Sequence, residues 1–362
     1  MKFSLPSNVK LLPVKGNVNL PFYKLDQQGL TNDYYVVSSP ESSELMANPA
    51  VVGYTCLNSL EPSTTAVLRF LNNDGKLNNP HILTILRGGL NFPLEQGCFN
   101  LGVTVRSTDF VTCERVIEDG VITGLEIKYE KLIPEQEATI LIGDIVASGE
   151  TLEQCMPIVA ARYKEVGGSI KKIVFFTIGG TKAIPLMERM TVELRKLWPD
   201  FEGFACVFYE GIFTVYEDKG VTGVNTPDID FGWQGGAVAP EFRNRVIDTP
   251  LALFEKCIIY DGGARRFEIP NHIEEVTEYW HELAAVAGQS SLPDFLAEKL
   301  GYTLGVTYEQ WLEATCLVDT PSNKQLWARE TAVAASVLKD YTLAQVCESQ
   351  INKFNQQMAK FQ

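Results

Sequence analysis

Between Pro80 and Tyr209 the chain alternates short apolar runs with stretches whose apolar residues recur every three or four positions. Short apolar runs bounded by turn signals read as buried strands, and the 3.6-residue period reads as amphipathic helix. The pattern predicts strands near Ile82–Leu86, Leu101–Arg106, Ile140–Asp144, Ile173–Thr177 and Ala205–Tyr209. It predicts helices near Glu150–Val166 and Ala183–Leu197. Strands that alternate with helices make a parallel sheet with helices on its faces. Ligands of such sheets sit beyond the carboxyl ends of the strands.

The flanking regions read differently. Residues 1–79 mix short extended runs with turn clusters such as Ser38-Ser39-Pro40 and Asn72-Asn73-Asp74-Gly75. A helix is expected over Ser63–Leu71, capped by Ser63 or Thr64. This segment is expected to wrap the core and supply a sheet edge or a hood. From Ile273 the pattern is helical, with amphipathic spacing over Glu274–Ala287 and Thr331–Leu338. Three parts follow: an N-terminal wrapping or hood segment (1–79), an α/β core (80–270) and a helical extension (271–362).

Charge and composition narrow the partners. A formal net charge of −14 over 362 residues argues against nucleic acid, which needs a basic face. Any phosphate site must be local: a helix N-terminus, a few cations and magnesium carried by the substrate. Eight cysteines with no CxxC pair read as reduced, mostly buried thiols, neither a disulfide framework nor a zinc site. The N-terminus lacks a secretory apolar run and no stretch approaches a membrane span, so a cytoplasmic protein with no membrane partner is expected. His81, His272 and His281 form no metal constellation, and neither HExxH nor GxSxG occurs. Trp280, Trp311 and Trp327 are expected as core or subunit contacts.

The densest signal is Ala138–Leu152, ATILIGDIVASGETL. An apolar strand carries one acid, Asp144, and runs into the small residues Ala147-Ser148-Gly149 before a helix opens at Glu150-Thr151. Such a turn aims main-chain N–H groups at one point, and the helix dipole adds positive potential there. It is suited to a phosphate, with Asp144 placed for sugar hydroxyls or magnesium. It is not a Walker A loop: five residues separate Gly143 from Gly149, and Glu150 stands where that motif has lysine. No GxGxxG follows any expected strand. Upstream, HILTILRGGL ends a second strand in Arg87-Gly88-Gly89, where an arginine can fork onto phosphate oxygens and glycines let the backbone approach. Between the two, Cys113–Pro134 alternates on either side of Asp119-Gly120, a hairpin signal.

These three pieces, in this order, resemble the type I phosphoribosyltransferases, with the uracil branch closest over residues 80–152. The resemblance implies the family's α/β fold: a parallel sheet flanked by helices, here with a mixed N-terminal segment and a helical C-terminal extension. It implies phosphoribosyl pyrophosphate as substrate, bound with substrate-borne magnesium, and a nucleobase-like acceptor. Arg87, Gly88 and Gly89 would hold the pyrophosphate. Asp144 would hold the ribose, and Ala147, Ser148, Gly149, Glu150 and Thr151 the 5-phosphate. Arg87 and Asp144 would be the catalytic pair. The hairpin, ending Lys128-Tyr129-Glu130-Lys131-Leu132-Ile133-Pro134, would close as a lid with Lys128 and Lys131. A homo-oligomer is expected, a homodimer in particular.

One position departs from the pattern. Gly143 stands where the family usually has a first acid, which removes one ribose contact. That departure favours an alternative: a non-catalytic or regulatory protein that binds phosphoribosyl pyrophosphate or a nucleotide on the same scaffold. The acceptor loop has two candidates. One is Asp230–Gly236, with Trp233 to stack on a base and Gly235 and Gly236 to offer amides. The other is Asp261-Gly262-Gly263-Ala264-Arg265-Arg266, whose arginines either answer an anion or form a solvated pair. Thr177–Lys182 is a further strand-Gly-Gly-helix connection that could line the same pocket.

Overall fold

The computed structural model describes residues 4–6, 8–16, 19–73, 77–86, 91–118, 121–147, 149–215, 231–255 and 262–361. Strands β1 (Lys10–Pro13), β2 (Phe22–Asp26) and β3 (Asp33–Val37) lead into helices α1 (Pro40–Ala47), α2 (Tyr54–Asn58) and α3 (Glu61–Asn73). The central region runs β4 (Pro80–Ile85), α4 (Leu94–Asn100), β5 (Ser107–Glu118), β6 (Val121–Lys131), β7 (Ala138–Val146) and α5 (Glu150–Glu165). It continues through β8 (Ile170–Gly180), α6 (Ala183–Leu197), β9 (Phe204–Val215) and β10 (Phe231–Val238). Helices α7 (Pro240–Asp248), α8 (Gly262–Phe267), α9 (Ile269–Val286), α10 (Leu292–Leu300), α11 (Tyr308–Thr315), α12 (Pro321–Asp340) and α13 (Leu343–Met358) complete the chain.

The described strands form one sheet in the order β1-β2-β3-β9-β8-β7-β4-β5-β6, with β10 on β9. From β3 to β5 every neighbouring pair is parallel. Antiparallel pairs sit at the flanks, where β1, β2 and β6 join, and where β10 pairs with the carboxyl-terminal part of the interior strand β9. The α/β class expected from the alternation is the observed one. The middle strands read as near-continuous apolar runs because helices cover both faces of the sheet: every residue of β4 is buried, as are the first six of β7.

Two local expectations are corrected. Leu101–Arg106 is not a strand. Half-buried Leu101, Val103 and Val105 alternate with exposed residues, as a strand would. The chain reaches a neighbour only at its end, where Arg106 N–H donates to the Pro80 carbonyl at 2.8 Å and β5 begins. Ser63 and Thr64 do not cap α3, which starts two residues earlier. The Ser63 hydroxyl donates back to Leu60 O at 2.8 Å, and Thr64 Oγ1 donates to Phe92 O at 2.9 Å.

The helical extension is welded to the core by a buried ion pair. Arg243 on α7 meets Glu330 on α12 through two bonds, Nε–Oε1 at 2.8 Å and Nη2–Oε2 at 3.0 Å. Tyr302 and Trp311 donate to the same Glu330 oxygen at 3.0 and 2.8 Å. Trp280 and Trp311 are fully buried, as expected for core residues, and Trp327 is half-buried against Tyr308.

A second pair of charges grips α1. Glu210, in the middle of β9, lies at its N-terminus, accepting from the Ser38 hydroxyl at 2.6 Å, from Ser39 N–H at 3.1 Å and from the Ser42 hydroxyl. Arg265 lies at its C-terminus, donating to Leu45 O and Asn48 O, each at 2.7 Å. Acid at the amino end and cation at the carboxyl end both favour the helix dipole.

Five cysteines, Cys56, Cys98, Cys206, Cys316 and Cys347, are buried free thiols. Cys155 on α5 is disulfide-bonded, which corrects the expectation of thiols throughout. Sequence spacing reveals adjacent pairs such as CxxC, not pairs that folding brings together.

Candidate functional site

Strand order reverses between β4 and β7. From β4 the chain steps outward to β5, then returns to the other side of β4 to place β7. Such a reversal leaves a crevice beyond the carboxyl ends of the two strands, because their outgoing connections part to opposite sides. The connection leaving β4 and the turn leaving β7 therefore flank one crevice. These are the two segments singled out in the sequence. Arg87, Gly88 and Gly89 lie outside the described residues, as does Ser148.

What closes the β4 connection is resolved. The main chain of Asn91 lies across β7 at Gly143. A β-carbon on Gly143 would stand 2.8 Å from the Asn91 carbonyl carbon and 2.9 Å from Phe92 Cδ2. A side chain there would have to displace backbone. Phe92 itself takes φ +42°, and its carbonyl is held by Thr64 of α3. Asn91 Nδ2 also donates to the Thr84 hydroxyl of β4. Gly143 is thus a packing requirement of this fold: the space for an acid is filled by the neighbouring connection.

Asp144 follows on the opposite face of β7, in register with Thr177 of β8. It is half-buried, and its Oδ1 accepts from Ile145 N–H at 2.8 Å, which orients the carboxylate at the strand end. Gly149 then turns the chain into α5 with φ +82°. A β-carbon there would also strike Leu186 of α6, so glycine is needed for both torsion and space. Gly149 provides no side-chain cap for α5, and its carbonyl accepts from Glu153 N–H at 2.9 Å. Ala147 is half-buried in the bend, and Thr151 is half-buried in the first helical turn. Glu150 is exposed there, and Glu153 pairs with Arg189 at 2.9 Å. Two acids, Glu150 and Glu153, stand in the first turn of α5.

The hairpin stands over the same edge. β5 is paired with β4 as far as Val111 and continues seven residues to Glu118. At about 3.3 Å per residue it projects roughly 23 Å past the carboxyl end of β4. Asp119-Gly120 lies outside the described residues, between the paired Glu118 and Val121. Lys128 and Lys131 are exposed, and they occupy the base of the hairpin, not its tip. Lys131 sits 6.0 Å over the Phe110 ring. Lys128 falls at a register shift between β5 and β6. An ion pair between Arg162 Nε of α5 and Glu130 Oε1 at 2.7 Å anchors this base, so any closure must bend above it.

The late segments depart from expectation. Phe231–Gly236 belongs to strand β10, antiparallel to β9, and is no loop. Trp233 is 8% exposed, with the Arg243 guanidinium 4.8 Å from its ring and Phe242 packed at 5.6 Å. Its stacking surface is already occupied, so no base can use it. The Gly235 carbonyl accepts from Leu5 N–H at 2.8 Å, and Gly236 passes against Ile212 of β9. Thr177–Gly180 is buried within β8. Asp261 lies outside the described residues. Arg265 is spent on α1. Arg266 is the one of the two that reaches a cavity, of about 580 Å³, which it lines with Asn58 of α2 and Asn91, Glu95, Gln96 and Phe99 around α4. Sequence reading missed this cavity, although the aromatic and amide residues in Asn91–Phe99 directly after Gly-Gly-Leu were its available sign.

Burial shifts two acids and a base in the sheet. Glu210 is pushed up to about 7 by burial, against the opposing hydroxyl and amide donors. Asp109 is raised and His81 lowered by burial. His81 Nδ1 pairs with Ser107 Oγ at 2.7 Å inside the sheet. Among the described residues no three His, Cys, Asp or Glu groups are arranged to hold a metal ion. Nor is any helix long and apolar enough to cross a membrane.

No protein-family model and no curated protein matches the chain. The chain is similar to solved phosphoribosyltransferase structures over part of its length. One is a hypoxanthine phosphoribosyltransferase from Staphylococcus aureus, at 14% identity and TM-score 0.28, covering 42% of this chain and 74% of that one. Another is the hypoxanthine phosphoribosyltransferase from Trypanosoma cruzi in complex with IMP, at 17% identity and TM-score 0.25, covering 37% and 67%. A third is a purine phosphoribosyltransferase from Pyrococcus horikoshii Ot3, at 17% identity and TM-score 0.25, covering 36% and 77%.

Proposed function

We propose that this chain binds phosphoribosyl pyrophosphate at the crevice between β4 and β7 and transfers its phosphoribosyl group to a nucleobase-like acceptor. The observation that carries this reading is the strand reversal, with Asp144 and the left-handed Gly149 turn both at its carboxyl edge. Ligand crevices form at that position in open α/β sheets.

In this reading the main-chain N–H groups of the turn into α5 anchor the 5-phosphate, and this remote contact orients the sugar. Asp144 receives the ribose hydroxyls. Arg87, with the amides of Gly88 and Gly89, steadies the departing pyrophosphate. Magnesium arriving on the pyrophosphate would supply charge neutralisation beside Asp144. A single half-buried carboxylate suits a metal carried mainly by its substrate. The hairpin above the edge excludes water as the sugar–pyrophosphate bond breaks. We also propose a cytoplasmic homodimer.

Thermal unfolding with phosphoribosyl pyrophosphate, with and without magnesium, tests the site. Ligand at a hundredfold its dissociation constant adds about 2.7 kcal/mol. No stabilisation at any concentration rejects the reading. Pyrophosphate release with a panel of bases then tests transfer. A second reading, a regulatory binder of the same ligand, is favoured by the closed space at Gly143, which leaves one carboxylate at the strand end. Binding without pyrophosphate release selects it.

A further inference from the structure

At the amino ends of β4 and β5, the edge opposite the crevice, a polar cluster is buried around His81. His81 Nδ1 lies 2.7 Å from Ser107 Oγ of β5. Asp109, buried two residues on and on the same face of β5, also meets the Ser107 hydroxyl. A carboxylate only accepts, so the Ser107 proton goes to Asp109 and Nδ1–H donates to Ser107. That leaves Nε2 as a bare acceptor, buried and without a hydrogen-bond partner. Tyr163 of α5 packs edge-on to the imidazole at 6.4 Å, and its hydroxyl is likewise buried and unpartnered. Glu135, in the connection from β6 to β7, places Oε2 3.9 Å from Nε2. Arg106 holds that carboxylate through Nε–Oε2 and Nη2–Oε1, each at 3.1 Å. On the β7 side the residue in register with His81 is the apolar Ile140. The charged groups facing His81 are therefore Asp109, Glu135 and Arg106, and Tyr163 is the other titratable one.

Glu135 matters because its segment ties several elements together. Its carbonyl accepts from Ser169 N–H at 2.9 Å, just before β8, and Ile133 N–H donates to Asp109 Oδ1 at 3.2 Å. Ile133–Glu135 is the return leg of the β5–β6 hairpin. We propose that His81 is a proton-operated latch at the root of that hairpin: protonation at Nε2 draws the Glu135 carboxylate from Arg106 to His81, and the return leg shifts with it. The movement needed is about 1 Å, from 3.9 Å to the length of a charge-assisted bond. Burial holds His81 below the usual imidazole range, so the latch works on the acid side of neutrality. The bond to Arg106 holds Glu135 below the usual carboxylate range, which keeps it ionised into acid. One proton thus selects between two partners for a single carboxylate. The latch is independent of the transfer reaction proposed above.

The His81 ring signal of the full chain, followed by NMR from neutral pH into acid, tests the proposal. Arg106 and Glu135 both reach solvent, so neither substitution puts folding at stake. Arg106→Gln frees the carboxylate and is expected to tighten proton binding at His81 at least threefold. Glu135→Gln removes the counter-charge and is expected to weaken it at least threefold. Hydrogen exchange of the Ile133 amide, corrected for its intrinsic pH dependence, separates a moving segment from plain electrostatics. Its rate is expected to step at least threefold through the His81 midpoint in the parent and to show no step in Glu135→Gln. The proposal is overturned if His81 does not titrate in the folded chain, or if Glu135→Gln leaves its midpoint in place, which would make Asp109 the counter-charge. It is equally overturned if Arg106→Gln fails to raise the midpoint, if the parent shows no step at Ile133, or if that step persists without the Glu135 carboxylate.

Discussion

Asn91 lies across Gly143 with its carbonyl carbon 2.8 Å from the point a β-carbon would occupy. Restoring an acid at that position does not rebuild a lost ribose contact, because backbone fills the space. Gly143→Asp is expected to lower stability by about 1–3 kcal/mol, the usual effect of overpacking. It is also expected to weaken phosphoribosyl pyrophosphate binding by disturbing the β4 connection. Urea unfolding and ligand titration measure the two effects. A variant as stable as the parent, with tighter binding, contradicts the packing.

Asp144 lies on the opposite face of β7 from that contact. Asp144→Asn keeps the size and the acceptor oxygen used by Ile145 N–H. Affinity for phosphoribosyl pyrophosphate is expected to fall at least tenfold in magnesium and little in its absence. Equal losses with and without magnesium would assign the carboxylate a purely structural role.

Gly149→Ala combines an unfavourable torsion at φ +82° with a collision at Leu186. About 1–2 kcal/mol of stability should be lost to the left-handed torsion alone. The paired variant Gly149→Ala with Leu186→Ala relieves the collision and not the torsion. If phosphate binding depends on the turn's shape, the pair recovers part of the stability and none of the affinity, read by thermal shift with inorganic phosphate.

Glu210 makes stability depend on pH. Its folded pKa is about 7, against 4.5 for the ordinary carboxyl. Because the folded state holds the proton more tightly, its contribution is greatest below 4.5. It declines as pH rises to about 7, and is constant above that. The decline is about 3 kcal/mol at 1.36 kcal/mol per unit. Glu210→Gln removes the slope, so the two unfolding curves should converge in acid and separate towards pH 8. A parallel offset at all pH values would refute the assignment.

Arg243 and Glu330 join the sheet region to the C-terminal helices through a buried pair. Removing one partner strands the other, at about 3–5 kcal/mol. Glu330→Gln is therefore expected to destabilise strongly, and Arg243→Met with Glu330→Met markedly less than the sum of the single changes. Additive losses in a urea double-mutant cycle would show that the pair is not coupled.

The local code of this chain was legible without coordinates. The apolar runs at Ile140–Asp144 and Ile173–Thr177 and the periodic stretch at Ala183–Leu197 each set their own element, because burial on two faces or on one stripe is written into consecutive residues. The small residues after Val146 likewise announced a tight turn into a helix. Leu101–Arg106 shows the limit: its alternation matches a strand, yet a strand also needs a neighbour, which sequence does not supply. Trp233 shows the same limit for chemistry. Its neighbours in sequence are Gly232 and Gln234, and only folding brings Arg243 from α7 onto its ring. The sequence by itself determined the α/β alternation and the turn at Gly149, since both depend on adjacent residues. Tertiary structure alone decided that Asn91 fills the place of an acid at Gly143, that Arg265 serves α1, and that Arg266 faces a cavity, since each depends on groups that meet only through long-range packing.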